Sequence, residues 1–214
     1  MGFSIEQFGK LRPYLYHVTT PENFENIRRR WKLISAFSLL KGTDYEYLLR
    51  GLRSESHVVR LNGQEIVIRD HRPLRLGSIE FEGGWTINTL LEELNRRVFF
   101  WPGRADGPIR SGRLHFGRYA AEGQVVAFRV NVFDLLQANP DNRPYFSRAN
   151  SGSARHSGGK PVVRGPRLYQ TAEQSSFPVN AVKEVSYLYE AVLPTNIEYS
   201  HRFGDNLWSR LKMR

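Results

Sequence analysis

Tyr16-His17-Val18-Thr19-Thr20-Pro21, running on into residues 22–30, has the local chemistry of a strand-to-helix junction. Leu15, Tyr16 and Val18 supply the aromatic, aliphatic and β-branched content of a short buried strand. Thr20 predicts a helix N-cap, with Pro21 at the first helical position, where its missing N–H costs nothing. Phe24, Ile27 and Trp31 recur at i, i+3 and i+7, the apolar stripe of an amphipathic helix. His17 and Thr19 thus sit at a strand end just before a helix N-terminus, where polar side chains and free N–H groups can converge on a ligand. A strand histidine satisfied by a neighbour would leave the same pattern.

Outward from this junction, residues 2–13 read as a lead-in helix or turn and residues 32–40 as an irregular connection with Ser35 and Ser38 as cap or turn residues. Residues 44–50 form a short helix packed through Tyr45, Leu48 and Leu49. His57-Val58-Val59-Arg60-Leu61 and Gln64-Glu65-Ile66-Val67-Ile68 flank Asn62-Gly63, the preferred two-residue hairpin turn. Thr86 caps a helix whose buried face is Ile87, Leu90, Leu91 and Leu94. Val98-Phe99-Phe100-Trp101 is an apolar strand expected to stop at Pro102, followed by a loop over 103–112 and a helix over 113–122. Val125, Val126, Phe128 and Val130 make another strand, and Asn131 caps a short helix ended by Asn139-Pro140. Residues 148–166 lack apolar periodicity and predict a mobile basic loop. Strand patterning returns at 168–170, 183–189 and 190–193, and Leu207, Trp208 and Leu211 predict a docked terminal helix. The whole, residues 1–214, is expected to be one α+β domain with mixed or antiparallel sheets and flanking helices.

Lys plus Arg number 31 against 21 Asp plus Glu, a net charge of +10 carried mostly by arginine. Arginine's planar fork suits bidentate phosphate contacts, so the excess points to a nucleic-acid partner, although solubility alone would also be served. No apolar run is long enough to span a membrane and the first ten residues lack a signal-peptide core. With no cysteine, disulfides, thiolate metal sites and cysteine nucleophiles are excluded, and a cytoplasmic setting is expected. No Rossmann glycine fingerprint, phosphate loop, H-E-x-x-H pair or G-x-S-x-G elbow is present.

The run Leu15-Tyr16-His17-Val18-Thr19, with Asn23, Asn26-Ile27 and Leu33-Ile34-Ser35, resembles the opening of the ADP-ribosyltransferase fold in its histidine-bearing branch. That branch includes the DarT nucleic-acid ADP-ribosyltransferase toxins and the RNA 2′-phosphotransferases. Residues 68–74 and 94–101 resemble a bacterial family related to DarT. The resemblance implies NAD as substrate, no metal, and a toxin or anti-phage role with an antitoxin as possible partner. It implies that His17 contacts a ribose, that Thr19 helps seat the nicotinamide and that Asn26 lies with them. Arg69 would grip NAD and target, its guanidinium held by the adjacent Asp70, though a surface ion pair at a strand end is an equal reading. Phe99 would stack on nicotinamide, with core burial as the alternative role of these aromatics. The catalytic glutamate would be Glu184, at the start of a late strand, with Glu173 in Thr171-Ala172-Glu173 as the other candidate. Glu190 reads as a solvated strand residue. Arg148, Arg155, Lys160, Arg164 and Arg167 would steer a DNA or RNA acceptor. An RNA 2′-phosphotransferase, a non-catalytic nucleic-acid-binding module and a protein acceptor remain alternatives.

Overall fold

The computed structural model describes residues 2–72, 74–153, 160–201 and 207–212. The strand Tyr14–Thr19 pairs antiparallel along its whole length with Val126–Asn131, from Tyr14 opposite Asn131 to Thr19 opposite Val126. On its other side it pairs with the strand Arg97–Arg104, but only from Tyr14 opposite Gly103 to Tyr16 opposite Trp101. Beyond that point Arg97–Arg104 changes partner. Its first half pairs with Glu184–Leu188, from Val185 opposite Phe100 to Leu188 opposite Arg97. The eight-stranded antiparallel sheet is therefore two blades joined through one strand, and the blades part directly after Tyr16 and directly before Val185.

The outer edge of one blade is Glu198–Ser200 with Ser209–Arg210, and of the other Tyr145–Ser147. Alternation along Val98-Phe99-Phe100-Trp101 sorts the side chains by face. Phe100 is fully buried in the main core with Phe8, Phe128, Phe146 and Tyr187, each worth about 1.5–3 kcal/mol of transfer free energy. Phe99 and Trp101 point to the opposite face.

Local signals placed most elements. Ser4 caps the helix Ile5–Leu11 in a reciprocal capping box with Gln7. Thr20 caps Pro21–Arg30 through a bond from the Asn23 N–H, Thr86 caps Ile87–Asn95, and Asn131 caps Val132–Ala138. The hairpin His57–Leu61 and Gln64–Ile68 turns at Asn62 and Gly63, whose φ values of 52° and 75° are those of a type I′ turn.

Trp31 is the left-handed cap of its helix, with φ of 53°, and packs with Ile27 against the core that holds Phe24. Five expectations are corrected by tertiary pairing. Residues 168–170, expected as a strand, make only the isolated bridge of Gln170 to Phe146. Lys32–Ile34 is a strand, drawn out by pairing with Glu190–Val192, and Ser35 caps a further short helix, Ala36–Leu40. The strand expected to stop at Pro102 runs on to Arg104, because the Pro102 carbonyl still accepts from the Ile109 N–H, and the next helix already begins at Arg110. Within the expected mobile loop, Val162–Arg164 is a strand parallel to Ile79–Phe81. In place of a terminal helix, residues 207–212 carry the two-residue strand Ser209–Arg210, whose partner is Glu198–Tyr199.

Candidate functional site

A cavity of about 280 Å³ opens where the two blades part. Its lining includes His17 and Thr19 from the central strand, Asn26 from the following helix, Arg69 and Asp70 from the hairpin's end, Phe99 and Trp101, and Glu184. Residues that lie far apart in the chain are brought together by the change of strand partner. Glu173 is exposed in a turn and does not line the cavity.

His17 is held by its ring: Nδ1 lies 2.9 Å from the Phe99 carbonyl, so Nδ1–H is the donor and Nε2 keeps its lone pair. Burial pushes its pKa down to about 4, against the smaller effect of that hydrogen bond, and the ring is neutral at neutral pH. Asn26 is also anchored, its Nδ2 donating 2.8 Å to the Glu65 carbonyl and 3.3 Å to that of Glu22. That bridge ties the helix Pro21–Arg30 to the hairpin. Asn23 ties it again, donating to the Val67 carbonyl and accepting from the Val67 N–H.

Arg69 and Asp70 are less of a pair than their adjacency implies. Arg69 lies 3.8 Å from Asp70 but 2.7 Å from Glu122, and its guanidinium stacks on the Tyr119 ring at 3.7 Å. Asp70, with a side chain 1% exposed, binds Arg118 at 2.8 Å and Arg72 at 3.2 Å. Burial would raise the Asp70 carboxyl, but the hydrogen bonds from the side chain and backbone of Arg72 and from Arg118 hold it well below the usual carboxylate range. Arg69, Arg72, Arg118, Asp70 and Glu122 thus form one ion network that clasps the hairpin's end to the helix Arg110–Glu122. Beside it, His115 stacks on Trp101 at 4.1 Å and meets Tyr119 at 4.6 Å. Burial, with Arg118 and Arg69 nearby, pushes His115 down to about 3, so this ring too is neutral.

The opposite wall carries Glu184, only 2% exposed. Its Oε2 accepts from the Ser151 N–H at 2.9 Å and from the Ser151 hydroxyl at 2.5 Å. Burial raises its pKa to about 7, with the Ser151 bonds and the positive charges of Arg164 and Lys183 opposing. A carboxyl poised near neutrality in the lining of a cavity has the proton affinity wanted of a general base.

Three polar atoms of cavity-lining residues are buried without a protein partner: Asn26 Oδ1, Arg69 Nε and Trp101 Nε1. One acceptor and two donors left open match a ligand that offers both a donor and acceptor oxygens, as a dinucleotide does. Among the described residues no group of three or more His, Asp or Glu is placed to hold a metal ion, and no helix is long and apolar enough to cross a membrane.

The basic set divides. Arg148, Lys160 and Arg167 are exposed, and Arg155 lies outside the described residues. Arg164 is a correction: it is 3% exposed, and its guanidinium donates to the carbonyls of Val163 and Asn150, both at 3.0 Å. It braces the segment that holds Glu184 and is not available to a surface ligand. Glu190 is half-buried and pairs with Lys32 at 2.7 Å. Sequence reasoning missed Ser151, His115 and Arg118 as site residues, and also Arg53, which lines the cavity and donates to the Arg69 carbonyl at 2.8 Å and Asn95 Oδ1 at 3.0 Å. Only Arg118 and Glu122, at i and i+4 on one helix, had a local signal.

The family of unknown function DUF7002 matches residues 13–197, and the chain belongs to it. The matched span contains every cavity residue named above. No curated protein and no solved structure matches the chain.

Proposed function

We propose that this member of DUF7002 is an NAD-dependent ADP-ribosyltransferase of the ADP-ribosyltransferase fold, acting on a DNA or RNA acceptor. The observation that carries the reading is that His17, Thr19, Asn26, Arg69, Phe99 and Glu184 face one cavity at the parting of the blades. His17, with Nδ1–H tied to the Phe99 carbonyl, offers Nε2 as an acceptor to a ribose hydroxyl. Arg69 and Asn26 offer their open atoms to phosphate or carbonyl oxygens and to amide or hydroxyl donors respectively. Phe99 presents an apolar face for the nicotinamide ring. As the C1′–N bond breaks, its electron pair leaves with nicotinamide and positive charge develops on the ribose. The Glu184 carboxylate stabilises that charge and takes the proton from the acceptor atom as it bonds to C1′. Arg148, Lys160 and Arg167, within a net charge of +10, attract the phosphates of the acceptor. A toxin or anti-phage role in the cytoplasm, restrained by an antitoxin, goes with this reading.

The test is to incubate the protein with labelled NAD and separate pools of single-stranded DNA, RNA and cell protein. Label is expected in a nucleic-acid pool and lost with Glu184→Gln. Label in the protein pool alone would overturn the acceptor assignment, and no NAD turnover in any pool would overturn the activity. One observation favours a second reading: Arg30, Arg53, Arg69, Arg97 and Arg118 all line the cavity, a basic set that suits removal of an RNA 2′-phosphate. Turnover of an internal 2′-phosphate substrate that survives Glu184→Gln would select it.

A further inference from the structure

The chain after the edge strand Tyr145–Ser147 is folded back so that one residue meets Glu184 twice. The Ser147 carbonyl accepts from the Lys183 N–H at 2.8 Å, fixing the edge strand against the start of Glu184–Leu188. The Ser147 hydroxyl accepts from the Ala149 N–H at 3.1 Å and turns the chain. Asn150 is pinned through its carbonyl, which accepts from Arg164 Nη2 at 3.0 Å and from the Ser153 N–H at 3.2 Å. Ser151 follows, 0% exposed, and both of its donors fall on the same oxygen, Oε2 of Glu184.

That geometry is more specific than a buried carboxylate needs. Two donors from one residue set the position of Oε2 and the plane of the carboxylate, while leaving Oε1 unengaged by Ser151. The other charged or titratable groups near Glu184 are Arg164 and Lys183, with Tyr169 alongside. Arg164 directs its guanidinium donors to the Val163 and Asn150 carbonyls, so it contributes field where Ser151 contributes direction.

We propose that Ser151 is the positioning residue of this centre, holding Glu184 by one oxygen so that the carboxylate stays aimed into the cavity. For its catalytic consequence the proposal rests on the role given to Glu184 above. Hydrogen bonds to the charged form favour it, so removing the hydroxyl raises the carboxyl's midpoint further from its level of about 7.

The experiment follows the Glu184 carboxyl by NMR in protein labelled with ¹³C at glutamate side-chain carboxyls, with Glu184→Gln assigning the signal. Ser151→Ala is expected to raise the midpoint by about one pH unit, as loss of one charge-assisted bond does. The acid limb of the transfer-rate profile should move with it, giving about a tenfold loss near pH 6 that closes at high pH. Ser151→Thr, which keeps the hydroxyl, should restore both. If Ser151→Ala does not fold, Ser151→Cys, close in volume and weaker as a donor, reports the same change. An unmoved midpoint in a folded variant overturns the role of Ser151 and leaves that of Glu184 standing. A normal transfer rate in Glu184→Gln overturns the role of Glu184, whatever Ser151 does to the titration.

Discussion

The two walls of the cavity each bury a carboxylate and treat it in opposite ways. Asp70 has Arg72 and Arg118 within hydrogen-bonding distance, and its carboxyl is held down. Glu184 has one serine and the more distant charge of Arg164, and burial pushes it up to about 7. Burial acts in the same direction on both; the number of cations in direct contact decides which effect wins. Asp70 is therefore a fixed charge that organises Arg72 and Arg118, whereas Glu184 can exchange a proton near neutrality. Two acids with proton affinities driven apart are the usual mark of divided labour in a site.

The largest effect should come from Glu184. Glu184→Gln is expected to lower transfer by about 10²-fold or more, as loss of one preorganised electrostatic group does. Its folded pKa lies above its unfolded value, so the folded state binds the extra proton and loses stability as pH climbs from 4.5 through about 7. The Gln variant should therefore melt higher than the parent at pH 8 while matching it at acid pH, a tenfold change in proton affinity being worth about 1.4 kcal/mol. Calorimetric scans at both pH values decide this. A variant that melts lower at pH 8 would place Glu184 in the same class as Asp70.

Asp70→Asn should behave in the contrary sense. Removing the charge leaves Arg69, Arg72 and Arg118 facing one another across Glu122, at a cost of about 2–3 kcal/mol. Here the folded pKa is depressed, so the contribution is present above the ordinary value of 3.8 and is lost as pH falls through the acid range below it. Urea titrations at neutral and acid pH should show a difference between parent and variant that shrinks on acidification. Equal stability at neutral pH would mean that Glu122 alone holds the clasp.

Between the walls, His17→Ala should weaken NAD binding about tenfold without unfolding the chain, as loss of a hydrogen bond in a formed site does. Because the ring is neutral, with its pKa pushed down to about 4, the loss of NAD affinity caused by His17→Ala should be the same from mildly acid pH upward, whatever the titration of Glu184 does to parent and variant alike. Calorimetry showing that this difference between parent and variant changes between about pH 6 and 7 would contradict the neutral ring.

Replacing Arg148, Lys160 and Arg167 together should reduce the salt dependence of nucleic-acid binding by about two units of slope and leave acceptor-free NAD hydrolysis intact. Hydrolysis that falls in parallel would assign the exposed set to the NAD site. Arg164→Ala belongs to another class: it removes a brace from Asn150 and should lower the melting temperature first. The smallest effect is expected from Glu173→Gln, an exposed turn residue, with transfer within about twofold of the parent.

The contrast between the walls also separates what could be read along the chain from what could not. The Asn62-Gly63 hairpin, the caps at Thr20, Thr86 and Asn131, and the facing of Phe99 and Trp101 away from Phe100 were all determined by sequence alone. Each is a matter of a few neighbouring residues: a turn that needs positive φ, an oxygen that reaches a nearby N–H, a side chain that alternates every second residue. The α+β class and the candidacy of His17, Thr19, Arg69 and Glu184 came from the same short-range features and from resemblance. The tertiary structure decided the rest. Whether Arg97–Arg104 would pair throughout with one strand or change partner at Trp101 depends on registers set by chain segments far away, and that change is what opens the cavity. Ser151 and Arg164 sit in a stretch with no periodicity, so nothing local marks one as the holder of Glu184 or the other as buried. Their roles exist only because a parallel pairing at Val162–Arg164 and a fold-back after Ser147 bring distant groups within hydrogen-bonding distance. Short-range chemistry leaves its signature in the sequence; contacts closed by long-range register do not.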